Sequence, residues 1–387
     1  MTHVIILSRF EPLATGHGGN HRTYQLQWDC IKAFGAENVT RVLASPWRPR
    51  VAPSSGRHAV LWWKLRHRLR LWYRNPRKIL VREGLYAGHF VVPGLLEDYE
   101  RIARAAPRPA VCVMEDVRFS DLISLNTKYD IPTVICPQNI ESFDTGALRI
   151  DARFYNSVRL VDFADEFSIL GRCAERLFIS KVEAGLIGGL GLSARYYPYQ
   201  PVGEIAQGLE AIRAKREQNR IVPGLFLIVG TAKHKATKAS LRWFFDHTRR
   251  AGLPQGVRVV VVGKGTEVFA GENGSQSPGF EFRGWVEQAE LDDLLSSVCG
   301  VLIPQRSGFG ALTRLSELAL AGLPVLVSQH PMMTMDPIAG VTVVEDDWGA
   351  WYEALRQLSH VGEAALEPAR ASQTQGKSVL TEVLSAV

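Results

Sequence analysis

Short β-branched apolar runs, each closed by turn residues, recur along the chain with helix-length polar and apolar stretches between them. In the first half they fall at residues 4–7, 39–43, 110–114, 133–136 and 177–180. In the second half they fall at 225–229, 257–262, 280–283, 301–304, 325–328 and 341–345. Strand alternating with helix is the pattern of a parallel sheet covered on both faces. The alternation is interrupted once, by YYPYQP at residues 196–201 and a polar, helix-prone stretch at 203–218. That stretch carries no strand signal and has the prolines of a connection, so the boundary is expected between residues 200 and 220. The pattern predicts two α/β domains, 1–200 and 220–365, followed by a helix-forming segment at 366–387 able to pack back on the first domain.

The bulk numbers agree with two cores. A chain of 387 residues is long for one compact α/β domain, and 46% hydrophobic with 22% charged residues is the composition of a folded enzyme. Cysteines stand at 30, 112, 136, 173 and 299, an odd number with no C-x-x-C pair and no His/Cys cluster at metal-ligand spacing. A reducing compartment is expected. No basic region precedes the first apolar run, and no window reaches the length of a membrane span, which predicts a cytoplasmic protein.

The segment that changes the picture most is SGFGALTRLSELALAGLPVLVS, residues 307–328. Gly308 and Gly310 allow close backbone approach to an anion, and the helix that follows offers free N–H groups and its positive dipole end to a diphosphate. With Thr313 as the expected N-cap, Glu317 falls one turn in, placed to accept ribose hydroxyls. Two further loops follow strands of the same half: GTAKHKATK at residues 230–238 and GKG at 263–265. Strand carboxyl ends are where open sheets bind ligands. Lys233, Lys235 and Lys238 are therefore candidates to neutralise phosphates, the alternative being a solvated basic loop.

In order, LFLIVG, VVVVGKG, FRGWVEQAELDDLLSSVCGVLIP, GFG, Glu317 and AGLPVLVS resemble glycosyltransferase family 4 and its GT-B relatives. The resemblance implies two Rossmann-like domains with parallel sheets facing across a cleft. It also implies a base pocket lined by residues 283–286, including Arg283, Gly284 and Trp285, with Gly263, Gly308, Phe309, Gly310 and a basic side chain such as Arg314 at the diphosphate. Glu317 then holds the ribose. The chain departs from the pattern in having Ser307 where the family has a glutamate, and two extra residues between the glycines and Glu317.

In the first half, TGHGGN at residues 15–20 follows the first strand and leads into a helix expected from about 21 to 34. In the resembling family a glycine pair here touches the donor phosphates and the acceptor, and Gly18 and Gly19 match it. His17, His21 and Arg22 are nearby groups able to meet an anion, and a plain structural turn is the alternative. CPQNIES at residues 136–142 matches a family segment in which a histidine stands where this chain has Gln138, while Asn139 and Glu141 remain. Gln138, Asn139 and Glu141 are the catalytic candidates. Glutamine cannot act as a base, so any carboxylate chemistry falls to Glu141 or to Glu115 and Asp116; helix capping is the competing role for Glu141. The sequence at 180–183 reads as a capping box and that at 345–347 as loop or helix start.

The net charge of +6 is concentrated: residues 57–82 carry nine Lys/Arg and no acid, leaving the remainder slightly acidic. Leu61, Trp62, Leu65, Leu69, Trp72 and Tyr73 form one apolar arc at helical spacing, bordered by Arg66, Arg70 and Arg74. This suits an interfacial helix on anionic lipid, an arc packed on its own domain, or a groove for an acidic acceptor or nucleic acid. A protein-wide nucleic-acid footprint is not expected.

Together these readings predict a transferase moving a sugar from a nucleoside-diphosphate sugar to a saccharide or lipid-linked saccharide. The resemblance implies retention of anomeric configuration and a role in bacterial surface polysaccharide. No Asp-x-Asp occurs in the chain, and no metal is expected. A nucleotide-sugar isomerase and a catalytically silent nucleotide- or glycan-binding module are the alternatives.

Overall fold

The computed structural model describes residues 2–44, 95–143, 160–272, 279–360 and 378–387. The basic aromatic stretch, with Trp62, Arg66, Arg70 and Trp72, lies outside the described residues. The chain divides into two compact units, one made of residues 1–198 with 376–387, the other of residues 199–375.

The first unit runs β1 (His3–Ser8), α1 (Gly18–Phe34), β2 (Val39–Leu43), α2 (Leu95–Ala105), β3 (Ala110–Met114) and α3 (Ser120–Lys128). It continues through β4 (Thr133–Ile135), α4 (Leu160–Gly171), β5 (Glu175–Phe178), α5 (Lys181–Gly189) and β6 (Arg195–Tyr196). The strands form one parallel sheet in the order β2-β1-β3-β4-β5-β6. Every residue of β1 and β3 is buried, as expected of strands covered on both faces. β6 corrects the sequence reading: Tyr196 does not open a strandless connection but pairs with Phe178 at the sheet edge.

The second unit runs α6 (Gly203–Gln218), β7 (Val222–Val229), α7 (Lys235–Ala251), β8 (Arg258–Val262), α8 (Val268–Glu272) and β9 (Phe280–Gly284). Next come α9 (Gln288–Ser297), β10 (Val298–Ile303), α10 (Thr313–Leu320), β11 (Val325–Ser328), α11 (Gln329–Met332), β12 (Val341–Val344) and α12 (Trp348–His360). Its parallel sheet has the order β12-β11-β10-β7-β8-β9, the doubly wound arrangement with its switch point between β7 and β10. In the first unit the corresponding reversal lies between β1 and β3.

Burial follows the apolar periodicity. α7 turns Leu241, Phe244, Phe245 and Thr248 inward at spacings of three and four, where Phe244 meets Trp351 of α12 edge to face with ring centroids 5.4 Å apart. Each such buried large side chain contributes roughly 1.5–3 kcal/mol relative to exposure. α13 (Val379–Ala386) returns to the first unit, where Leu380, Val383 and Leu384 share one core with Val4, Ile6, Leu26 and Cys30. The five cysteines are free and buried. Among the described residues no helix is long and apolar enough to cross a membrane.

Candidate functional site

In the second unit the loops leaving β7, β8 and β9 are interlocked by backbone contacts. Gly230 N donates to Val262 O at 3.0 Å, and Gly263 N donates to Gly284 O at 2.6 Å. Gly263 has φ 130°, and a Cβ on it would lie 1.9 Å from Gly230 O, so only glycine fits. Ala232 N reaches Lys264 O at 3.0 Å, tying the lysine loop to GKG. Lys233 is exposed on this loop and Lys238 is half-buried in the first turn of α7.

The loop after β10 joins this assembly through Arg314. Its guanidinium donates to Val229 O at the end of β7, and its Nη2 donates to Gln305 Oε1 at 3.2 Å beyond the end of β10. Arg314 thus spans the switch point, beside a cavity of about 10 Å³ lined by Gly230, Ser240, Gln305 and Arg314 itself, room for about one water. Burial lowers the Arg314 pKa, with Glu317 opposing the shift, and the group stays cationic. Gly308 (φ 138°) and Gly310 (φ 72°) form the turn that precedes α10, and the His330 ring Nε2 lies 2.9 Å from Gly308 O.

α10 begins at Thr313 itself. Thr313 is not the N-cap: Leu312 takes that place and no side chain caps the helix, because the turn from Gly310 enters one residue earlier than the threonine would require. At the other end Leu323 N bonds to Leu318 O with Gly322 at φ 71°, the glycine stop that the sequence predicts. Glu317 is half-buried in the middle of α10, and Tyr199 Oη donates to its Oε1 at 2.9 Å. Tyr199 was not legible as a site residue.

Arg283, near the end of β9, and Trp285, just beyond it, stand on the surface. Trp285 is 71% exposed, and Arg283 pairs with Glu281 at 2.7 Å and with Glu290 at 3.0 Å. Phe309, at 41%, is also exposed.

The first unit gathers a second polar cluster at its own switch point. Asp116, just past β3, accepts from Arg118 Nε at 2.9 Å and lies 3.9 Å from Arg9 beyond β1. Arg118 also pairs with Glu141 at 2.5 Å. The Glu141 and Ser142 amides donate to the two oxygens of Glu166, each at 2.9 Å, and the Ile140 amide donates to Glu183 at 3.2 Å. Buried carboxylates therefore hold the CPQNIES turn from below. Burial and the nearby Asp116 charge push the Glu141 pKa up to about 7, against Arg118. Glu115 is pushed up to about 8 by burial.

Around the glycine loop, His17 Nδ1 accepts from Gly19 N at 3.1 Å and so caps α1, which starts at Gly18 rather than near residue 21. A Cβ on Gly19 would meet the His17 ring at 2.8 Å. Gln138 Nε2 reaches Gly19 O at 3.4 Å, linking this loop to the end of β4, while the buried Asn139 Oδ1 has no hydrogen-bond partner among the described residues. His21 is half-buried in the first turn. Arg22 corrects the sequence reading. It is 1% exposed, its guanidinium donating to Gln25 Oε1 at 2.7 Å, Tyr197 O at 2.8 Å and Pro198 O at 3.2 Å, so its donors serve the fold rather than a ligand. The predicted capping box holds at one side only: Ser180 accepts from Glu183 N, but the Glu183 carboxylate goes to Ile140.

Sequence reasoning also missed Arg118 and Gln305. Arg118 had a faint signal, a cation two residues after a carboxylate at a strand end. Gln305, two residues past the end of β10, had none.

No protein-family model and no curated protein matches the chain in sequence. Solved structures do match in fold. HepE of Anabaena in complex with UDP is similar over 100% of this chain and 94% of its own, with TM-score 0.55 and 10% identity. Sucrose-phosphate synthase of Thermosynechococcus elongatus is similar over 100% and 94%, with TM-score 0.58 and 14% identity. UDP-GlcNAc 2-epimerase of Methanocaldococcus jannaschii is similar over 100% and 99%, with TM-score 0.51 and 12% identity. At these identities the likeness is one of architecture, and the chain, with its two six-stranded parallel α/β units, has the GT-B fold.

Proposed function

We propose that the chain is a glycosyltransferase whose nucleoside-diphosphate-sugar donor binds the second unit. One observation carries this reading: interlocked glycine loops at the carboxyl ends of parallel strands stand beside a helix start that brings Arg314 and Glu317 within one turn. The glycines give a diphosphate close access to backbone N–H groups, Arg314 and Lys238 supply fixed positive charge, and Glu317 accepts ribose hydroxyls.

In the proposed reaction the bond from the anomeric carbon to the β-phosphate oxygen breaks and a bond from that carbon to an acceptor hydroxyl oxygen forms. The hydroxyl proton passes to the departing diphosphate. Positive charge accelerates this only insofar as it grips the leaving diphosphate more strongly in the transition state than in the bound donor. Neutralisation by Arg314, lysine and helix dipole needs no metal, so activity is expected to persist in chelator.

The finer readings rest on the sequence resemblance: a saccharide or lipid-linked saccharide acceptor, retention of configuration, and a part in bacterial surface polysaccharide. The acceptor is assigned to the first unit, with Glu141 as its carboxylate contact. A peripheral position on the inner face of an anionic membrane rests on residues 57–82 alone.

An epimerase shares the fold, so the deciding experiment follows the sugar. Radiolabelled UDP-sugars come first, because HepE is known with UDP; they are incubated with the protein, with and without a membrane and saccharide extract. A transferase releases the diphosphate and builds a larger labelled product only with extract. Conversion of the sugar without extract would identify an epimerase, and binding without turnover a silent module.

A further inference from the structure

We infer that Tyr199 is a positioning residue for ribose recognition: its hydroxyl holds the Glu317 carboxylate in the orientation that accepts the ribose hydroxyls. The inference rests on the nucleotide site proposed above and adds a residue to it. Tyr199 is 3% exposed, so its ring is fixed by packing, and Oη donates to Glu317 Oε1 at 2.9 Å. Glu317 itself is half-buried on α10, a long carboxylate side chain that would lose rotamer freedom each time it engaged a ligand. A bond from a rigid buried donor removes that cost in advance, which is how a neighbouring shell sharpens a site.

The rest of the unit holds both partners in place. α6, which starts shortly after Tyr199, packs on α9 and α10. Arg213 of α6 lies so close to Gly322, the stop of α10, that a Cβ there would meet its Cγ at 3.2 Å. The segment carrying the tyrosine and the helix carrying the glutamate are therefore one packed piece. A buried hydroxyl needs a partner, and here that partner is the carboxylate proposed to meet the ribose.

The test uses the full chain and calorimetric titration with UDP, GDP and ADP, followed by the 2′-deoxy analogue of whichever binds the wild type most tightly. In the wild type the ribonucleotide is expected to bind about tenfold more tightly than its deoxy analogue, as for one hydrogen bond to a charged group. Tyr199→Phe, which removes only the hydroxyl, is expected to abolish most of that ratio by weakening the ribonucleotide and leaving the deoxy analogue nearly unchanged. Tyr199→Met, which also lacks the hydroxyl, is expected to do the same and stands in if the phenylalanine variant does not fold. Equal losses for both nucleotides in Tyr199→Phe would reduce the tyrosine to packing and overturn the inference. An unchanged ratio in Tyr199→Phe, with the ratio lost in Glu317→Gln, would overturn it while leaving the nucleotide site standing. Absence of binding by any of the three diphosphates to the wild type would overturn both.

Discussion

Arg118 Nη2 lies 2.5 Å from Glu141 Oε2, an ion pair in which both side chains are largely buried. The same guanidinium serves Asp116, so one cation compensates two carboxylates at the end of the first unit's sheet. Removing it leaves Glu141 without its ion-pair partner and Asp116 with only the more distant Arg9, at 3.9 Å. Arg118→Met is expected to destabilise the protein by about 3 kcal/mol at pH 8, the scale of breaking a buried pair from one side. The loss should be smaller at pH 5, because Glu141, with its pKa already raised to about 7 by burial and by Asp116, then sheds its charge by protonation. Urea unfolding at the two pH values checks this; equal losses would mean that Glu141 does not titrate in this range.

Glu115 gives a second pH dependence. Thr23 Oγ1 lies 2.8 Å and 2.9 Å from its two oxygens and 3.0 Å from Gly19 O. A hydroxyl has one proton to give, so with Glu115 protonated Thr23 donates to Gly19 O and accepts from the carboxyl. Burial raises the Glu115 pKa from 4.5 to about 8, so its favourable contribution is complete below about pH 4.5 and is lost as pH rises through 8. Glu115→Gln, always neutral and still a donor, should lack this loss and become progressively more stable than the wild type from pH 5 to 9. Parallel stability curves for the two proteins would show that Glu115 is ionised throughout.

Gly263→Ala tests the interlocked loops. A Cβ at φ 130° and 1.9 Å from Gly230 O forces β8 and β7 apart at their carboxyl ends. A loss of at least about 2 kcal/mol is expected from backbone strain and displacement. UDP affinity should fall further than stability alone explains when measured well below the unfolding temperature. A variant with unchanged unfolding midpoint would mean that the loops tolerate separation.

The lysine loop separates phosphate from nucleoside. Lys238, half-buried in α7, should matter more than the exposed Lys233. Lys238→Ala is expected to weaken UDP binding on the order of tenfold and uridine binding little, since only the phosphate answers the charge. Calorimetry with both ligands decides; equal changes would return the lysine to solvent.

The strands of this fold were legible because sheets covered on both faces require continuous apolar runs. Ala110–Met114 and Val325–Ser328 coincide with β3 and β11 residue for residue, and Val39–Leu43 coincides with the half-exposed edge strand β2, legible from its β-branched residues. β6 was hidden because two residues at a sheet edge leave no periodicity. α1 begins early because its cap is a histidine ring nitrogen, outside the usual capping set. Arg22 read as a ligand contact because nothing local in its sequence reveals that its acceptors are carbonyls of residues 197 and 198. Tyr199 was hidden for the same reason, its partner Glu317 lying 118 positions away.

The docking of α13 on α1 makes the first unit depend on a segment synthesised after the whole of the second unit. Leu380, Val383 and Leu384 complete the layer over Val4, Ile6 and Leu26, yet all of residues 199–375 emerge before them. During translation one face of the first-made sheet waits with α1 in place but without α13, while the second unit is contiguous in sequence. The later unit can thus be the earlier to mature, and a fragment cut at residue 198 would bare the apolar side chains that Leu380, Val383 and Leu384 cover.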